Sequence, residues 1–304
     1  MRLIENKNRL KGIGFILMAS LGYGMMPSLT QLAFKSGVSL ETMLASRYAI
    51  ALLITWVYIF ARKIDHRVTK NQFIFLMAMG VIYIGIALFI NLSYVYLPGA
   101  IASILVFLYV SLVVIIEIII GREKPNRIKI ICVIVSLSGL VLVVWNPAGS
   151  NSLSLIGIIF ALCGGVCYAV YASILGGGRA IKLNSMVLIG YMLILPSIFY
   201  PIRCLWVGQP LIWANIEQFS FILLVTVLCT FLSTLWFCNA VKLIGSSTTA
   251  IINTMEPVVA YFSGMALMGD MLSKNAIFGG LLIISAILIL NIAEGSKEKV
   301  TLER

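Results

Sequence analysis

The sequence holds little of what a soluble catalyst is usually built from. Charged residues make up 11% of the 304 positions and hydrophobic ones 61%, too little charge to clothe a soluble domain of this length. The one histidine, His66, lies in a basic loop, and no cluster of His, Asp and Cys stands at the ends of the apolar segments. An enzyme embedded in a membrane would need such a cluster, so no enzymatic activity, cofactor or metal is expected. The six cysteines, at 132, 163, 167, 204, 229 and 238, sit in or at the edges of apolar runs without forming a CxxC pair. Neither a disulfide framework nor a zinc site is expected from that spacing. Gly176–Gly178 looks like part of a phosphate loop, but no Lys-Ser pair follows it, and it reads as a helix terminator. Without a nucleotide-binding motif, no ATP-driven step is expected. The first apolar run is long and lacks a small-residue cleavage site, which argues against a signal peptide. A soluble module or long tail, the usual mark of a receptor or scaffold, is also missing from the sequence.

What the chain does have is long apolar runs. About 20 such residues cross a hydrocarbon core. By that measure there are ten candidate spans: 12–34, 41–61, 71–91, 98–120, 128–146, 153–175, 185–207, 218–240, 246–268 and 275–292. Barrel strands are about half as long and alternate in polarity. The fold class expected is therefore an all-α integral membrane protein with ten transmembrane helices. The net charge of +11 could suggest a nucleic-acid partner, but the basic residues lie in short inter-segment loops, not on one face. If the N-terminus is cytoplasmic, 18 of the 22 basic residues fall on the inner side, and only Lys35, Arg203 and Lys274 on the outer. The remaining one, Arg47, lies within the second span. By the positive-inside rule both termini are cytoplasmic, in a multi-pass protein of the plasma (inner) membrane.

The stretch Ser246–Asp270 is long enough to cross a bilayer, yet carries Glu256 and Pro257 near its middle. A carboxylate there costs about 2.5–3.5 kcal/mol on insertion scales. Pro257 frees the carbonyl of Asn253, as Pro27 frees that of Tyr23, and both prolines are expected hinges. Thr249, Asn253 and Glu256 fall at i, i+4 and i+7 on one helix face, which needs a cavity or partner helix to look into.

An internal repeat organises the rest. Gly12–Gly24 aligns with Gly157–Ala169 at an offset of 145, matching Gly12 to Gly157, Leu17 to Leu162 and Tyr23 to Tyr168. At an offset of 147, Tyr109 falls against Glu256, Glu123 against Asp270 and Ser138 against Ser285. The halves are then 1–147 and 148–304, with five spans each. An odd number of spans inverts the second half, an arrangement that characterises secondary transporters with a midplane site between the halves.

Together these features resemble the drug/metabolite transporter superfamily, EamA type, over roughly residues 12–293. The resemblance rests on the five-plus-five spans, on Leu108–Tyr109 and Glu256–Pro257 in the fourth and ninth spans, and on the acidic residues Glu123 and Asp270 after them. Where the family usually has Tyr-Pro, this chain has Tyr109–Val110, so the fourth span is not expected to bend as the ninth does. The resemblance implies a carrier of small metabolites, amino acids or amphipathic compounds, an exporter working by alternating access. Proton coupling through Glu256, an uncoupled facilitator, and a carrier of nucleotide sugars or lipid-linked substrates are the readings it leaves open.

Glu256 is either a carboxylate facing a central cavity, where it binds protons or a substrate amine, or a structural residue holding the kink. Arg47 either reaches the cavity, to meet a substrate carboxylate or Glu256, or snorkels outward along its own stem. Glu117, one turn before Gly121, is a gate or a structural partner of Arg122 or Lys124. Tyr23, Tyr83, Asn91, Phe107, Tyr109, Tyr168, Tyr171, Trp236, Asn239 and Asn253 are the candidates for lining an amphipathic cavity. Tyr94, Tyr96, Trp206 and Trp213 read as interfacial belt residues. Gly157, Ala161, Gly165, Ala169 and Ser173 recur every four residues and read as a packing ridge. The expected partners are a small-molecule substrate, the lipid bilayer and, under the coupled reading, protons. Nucleic acid is not expected, and oligomeric state is not legible.

Overall fold

The structure, a computed structural model, describes residues 2–119, 127–144, 153–175, 183–211, 213–244, 249, 252–253, 255–269, 274–275, 277–286 and 288–289. Every regular element among them is helical: α1 (Arg2–Lys35), α2 (Leu40–Ala61), α3 (Lys70–Tyr96), α4 (Gly99–Val106), α5 (Tyr109–Ile119), α6 (Arg127–Val144), α7 (Leu155–Leu175), α8 (Ser185–Met192), α9 (Ile194–Trp206), α10 (Ile216–Leu224), a π-helical turn (Val225–Leu232), α11 (Ser233–Ile244) and α12 (Met255–Met268). A further apolar helix, α13, covers Ile277–Ala286. In a hydrocarbon medium backbone donors and acceptors find no water, so a chain this apolar satisfies them within helices. The protein is an all-α integral membrane protein. Large aliphatic and aromatic side chains such as Leu53, Val57, Phe60, Ile74, Val81 and Ile202 point outward from these helices, the surface that lipid covers.

The helix ends follow from local chemistry. Ser39, Asn184 and Asn215 cap α2, α8 and α10 by accepting from the amides of Thr42, Met186 and Gln218. Thr69 and Gln72 form a reciprocal capping box at the start of α3. Gly37, at φ +92°, ends α1 with the Val38 amide bonded to the Ala33 carbonyl at 3.1 Å, a Schellman turn that needs a left-handed residue. Lys63 adopts the same turn after α2 at φ 50° without the help of glycine.

Two spans are interrupted. The fourth breaks between α4 and α5 at Phe107–Leu108, where the Leu108 amide bonds tightly back to Leu105 at 3.3 Å. That break was not expected from Tyr109–Val110, since no proline is present to cause it. The seventh breaks at Leu193, between α8 and α9. There Pro196 leaves the Met192 carbonyl without its helical donor, and that oxygen faces Gly80 of α3 so closely that an added Cβ would lie 3.0 Å away. By contrast, α1 runs on through Pro27 as one helix, and Glu256 and Pro257 lie in the first turn of α12.

Packing is most extensive between the two halves of the sequence. Helix α1 lies against α11 and α12, α7 lies against α3, α4 and α5, and α2 lies against α9. The pairing is itself repeated: α1 meets the eighth and ninth spans as α7 meets the third and fourth. The offsets that match Tyr23 to Tyr168 and Tyr109 to Glu256 carry Ser20 onto Gly165 and Asn253 onto Val106. Both pairs are in contact. Ser20 donates to Asn253 at 3.0 Å, and a Cβ on Gly165 would lie 3.3 Å from the Val106 carbonyl oxygen.

The seam between α1 and the ninth span is one of close backbone approach. A Cβ added to Gly24 would stand 2.5 Å from Val259 Cβ and 2.8 Å from the Glu256 carbonyl oxygen, whereas one on Gly14 would meet nothing within 4 Å. Gly24→Ala is expected to destabilise the protein by about 1–3 kcal/mol through overpacking. Gly14→Ala should stay within about 0.5 kcal/mol of wild type. Thermal unfolding of the two detergent-solubilised variants measures the difference.

Candidate functional site

Along α1, Ser20, Gly24 and Ser28 recur every four residues and so share one face. This face meets the ninth span. Ser20 Oγ donates to Asn253 Oδ1 at 3.0 Å, and the Asn253 amide donates onward to Glu256 Oε2 at 3.1 Å. One turn on, Ser28 and Ser263 share a hydrogen bond of 2.9 Å, and Ser263 also donates to the Gly24 carbonyl at 3.2 Å. Asn253 is wholly buried, with both ends of its amide used, and this fixes which way the amide points. Glu256 is half-buried, and among the described residues no basic side chain pairs with it. Of the polar face expected in this span, Asn253 and Glu256 come together as foreseen. Thr249 is buried as well.

A row of tyrosines leads away from this carboxylate. Tyr109 at the start of α5 lies beside Asn253 and Glu256. Its ring meets Tyr168 of α7 edge-on with centroids 4.2 Å apart, and Phe107 packs on its other side at 5.5 Å. Tyr168 meets Tyr171 at 6.0 Å, Tyr171 meets Tyr83 of α3 at 5.9 Å, and Tyr83 meets Tyr48 of α2 at 5.9 Å. The Tyr109–Tyr168 and Tyr83–Tyr48 contacts are edge-to-face, an arrangement favourable beyond the area it buries. Four helices thus contribute one continuous aromatic wall. Tyr23 closes it from α1, donating to Thr234 Oγ1 at 3.0 Å, and Tyr83 lies beside the same hydroxyl.

At the far end of the row stands Arg47. It is 3% exposed, so it does not snorkel. Its Nε donates to Thr230 Oγ1 at 2.6 Å, its Nη2 to the Met26 sulfur at 3.2 Å, and its guanidinium lies 5.3 Å from the centre of the Tyr48 ring. It forms no ion pair with Glu256. Thr230 is available because the chain is π-helical at 225–232, where its hydroxyl donates to the Val225 carbonyl five residues back at 3.1 Å while accepting from Arg47. Wide helical turns of this kind are frequent at functional positions. Arg47 Nη1 is buried and has no hydrogen-bond partner.

The other candidates lie around this core in different roles. Asn91 is fully buried, donates to the Ala87 carbonyl of its own helix at 2.7 Å, and leaves its own side-chain oxygen unmet. Asn239 accepts from Ser185 at 3.2 Å, joining α11 to α8. Trp236 packs with Ile16, Ala19 and Ala240 between α1 and α11. Pro27 is buried against Gly99 at the start of α4. Pro257 is buried in α12. The Glu117 side chain lies outside the described residues, although its backbone belongs to α5.

Two participants, Tyr48 and Thr230, were not singled out in the sequence, and a third, Tyr94, was given another place. Tyr94 was expected at the membrane interface, but it is 6% exposed and stands within electrostatic reach of both Arg47 and Glu256. The correction has a simple signal. Tyr83, Asn91 and Tyr94 are spaced by 8 and 3 along one helix, which puts Tyr94 on the same face as two cavity candidates. Tyr96 and Trp206 do lie outward, the latter 88% exposed. Trp213 is half-buried against Phe219.

Hydrogen bonds also tie the α1–α2 end of the bundle. Arg203 pairs with Glu41 at 3.0 Å, Thr42 donates to the Pro210 carbonyl at 2.6 Å, and Gln218 donates to the Ser36 carbonyl at 2.9 Å. At the opposite end, Tyr191 donates to the His66 carbonyl at 3.0 Å and Lys242 to the Leu183 carbonyl at 2.7 Å.

Removing the acceptor from Arg47 should be costly, because the guanidinium keeps its charge. Thr230→Val is expected to lower stability by about 1–3 kcal/mol, the cost of leaving a buried donor unmet. Thr226→Val removes only a bond of 2.6 Å to the Ile222 carbonyl of the same helix and should cost less. Thermal unfolding of both variants in detergent checks the order.

Comparison with known proteins agrees with this architecture. The model of the EamA-like transporter family matches residues 10–145 and, a second time, 155–292. An uncharacterised transporter of Clostridium kluyveri is 23% identical over 230 residues, covering 72% of each chain. One of Archaeoglobus fulgidus is 24% identical over 249 residues, covering 80% of this chain and 85% of its own. A solved structure titled only as the crystal structure of a protein superposes with a TM-score of 0.66 at 15% identity, over 95% of this chain and 97% of that one, and so shares the fold. The chain belongs to the EamA-like transporter family of multi-pass membrane transporters.

Proposed function

We propose that this transporter is a secondary carrier that moves small amphipathic metabolites outward across the inner membrane by alternating access. Its site is the space between Glu256 and the tyrosine row. The observation that carries the reading is the Ser20–Asn253–Glu256 relay: a half-buried carboxylate, oriented by an amide, with no cation among the described residues to neutralise it. An ionisable group so placed within a span is costly, and is retained most often for a functional reason. Apolar rings with a few fixed polar groups are also the usual make-up of a small-molecule site.

The working parts are the two halves, 1–147 and 148–304, in opposite orientations with both termini cytoplasmic. The repeated pairing of α1 and α7 with corresponding spans supports that division. Movement would loosen one set of end ties while the other holds, with the breaks at Phe107–Leu108 and Leu193 and the prolines Pro27 and Pro257 as bending points. Glu256 carries the coupled proton. Binding to Asn253 favours a second reading, in which Glu256 is structural and the protein an uncoupled facilitator. A nucleotide-sugar ligand fits less well, since Arg47 is the one cation among the described residues placed beside the tyrosine row.

Uptake into proteoliposomes of labelled amino acids, purines and quaternary amines, with and without a pH gradient, tests the reading. Glu256→Gln keeps an oxygen for the Asn253 amide but cannot carry a charge. The gradient-stimulated part of the flux is expected to fall at least tenfold in this variant. Flux indifferent to both gradient and substitution would establish the facilitator.

A further inference from the structure

We propose that Arg47 is the docking point for a carboxylate on the transported solute, an inference that rests on the transport reading above and names the chemistry of its substrate. Arginine stays charged wherever it is placed, so the cost of burying Arg47 is not relieved by losing a proton. Among the described residues its direct contacts are dipoles and a ring face: the Thr230 hydroxyl, the Met26 thioether and Tyr48. No carboxylate pairs with it among the described residues, whereas Arg203, its counterpart near the bundle end, has Glu41 at 3.0 Å. Nη1 is left with neither a partner nor exposure to solvent. A buried charge of this sort is strongly unfavourable until an opposite charge meets it.

The geometry also selects the kind of anion. Thr230 takes Nε through a short bond of 2.6 Å, which leaves the Nη1–Nη2 edge of the guanidinium. The thioether on Nη2 is a weak acceptor that an oxygen displaces readily. Two parallel donors on one edge match the two oxygens of a carboxylate. One cation matches one negative charge, not the several of a nucleotide diphosphate. Beside this edge the row from Tyr48 to Tyr83 and Tyr171 supplies a surface for an apolar or aromatic body. Tyr94, within reach of both Arg47 and Glu256, joins the two ends of the site.

The test compares three acids with their neutral carboxamides: 3-phenylpropionate, cyclohexanecarboxylate and indole-3-acetate. Binding to the detergent-solubilised full chain is measured by equilibrium dialysis, with phenyl phosphate as a separate arm. At least one carboxylate is expected to bind tenfold or more tightly than its carboxamide, and phenyl phosphate more weakly than that carboxylate. Arg47→Gln should bring the preference within twofold, and Arg47→Lys should keep part of it. The proposal is overturned if no acid binds better than its amide, if phenyl phosphate binds best, or if the preference survives in Arg47→Gln.

Should Arg47→Gln fail to give a single species on size exclusion, phenylglyoxal labelling of Arg47 in the wild type decides instead. The preferred acid is expected to slow that labelling at least fivefold and its amide to leave it unchanged; equal rates with both would sink the idea. Because binding is read without flux, the two readings fail separately. A protein that prefers carboxylates but moves nothing keeps this site and loses the transport reading, and a working carrier indifferent to carboxylates does the reverse.

Discussion

The close approach of α1 to the ninth span is the contact on which the site depends. It is possible because Gly24 carries no side chain: a single added carbon would run into Val259 and the backbone of Glu256. With the two helices that near, Ser20 reaches Asn253, and Asn253 in turn orients the carboxylate. Inside a membrane, helices gain little from burying apolar surface against one another, since lipid is equally apolar. Close backbone approach and hydrogen bonds between helices take over that role. The seam supplies both within three turns of α1.

The same constraint explains where the helices are irregular. A backbone break in hydrocarbon is tolerated only where protein covers it. The break at Phe107–Leu108 lies between buried residues and is followed at once by Tyr109 of the aromatic wall. The one at Leu193 is buried against α3, with the carbonyl freed by Pro196 turned toward Gly80. In the eighth span the backbone loosens into π-helix, and there its hydroxyls donate to carbonyls five residues back. Each irregular stretch faces the interior shared by the two halves, and two of them deliver a site residue.

The halves are interleaved, which gives the site its composition. Glu256 and Asn253 come from the ninth span, Arg47, Tyr48, Tyr83 and Tyr109 from the first half, and Tyr168 and Tyr171 from α7. Because α7 repeats the place of α1, its glycine at 165 stands against the fourth span where Ser20 bonds to the ninth. The fourth span therefore sets Tyr109 against Tyr168 where the ninth sets Glu256 against α1. The two aligned positions carry an aromatic ring in one half and a carboxylate in the other.

The sequence by itself determined the class of the protein, its helices and its repeat, and it singled out Glu256, Asn253 and the tyrosines as candidates. These follow from local properties: run length, the positions of basic residues, and a carboxylate where solvation is expensive. Helical spacing was enough to put Asn253 and Glu256 on one face, and would have been enough to move Tyr94 from the interface to the interior. Only the tertiary structure decided that Arg47 meets Thr230 and not Glu256, that Trp236 packs between α1 and α11, and that Asn239 accepts from Ser185 of α8. It also decided that the fourth span breaks at Phe107–Leu108, where no proline stands. Those outcomes depend on which helices are neighbours across the two halves, and contacts between residues some 180 positions apart leave no periodicity to read.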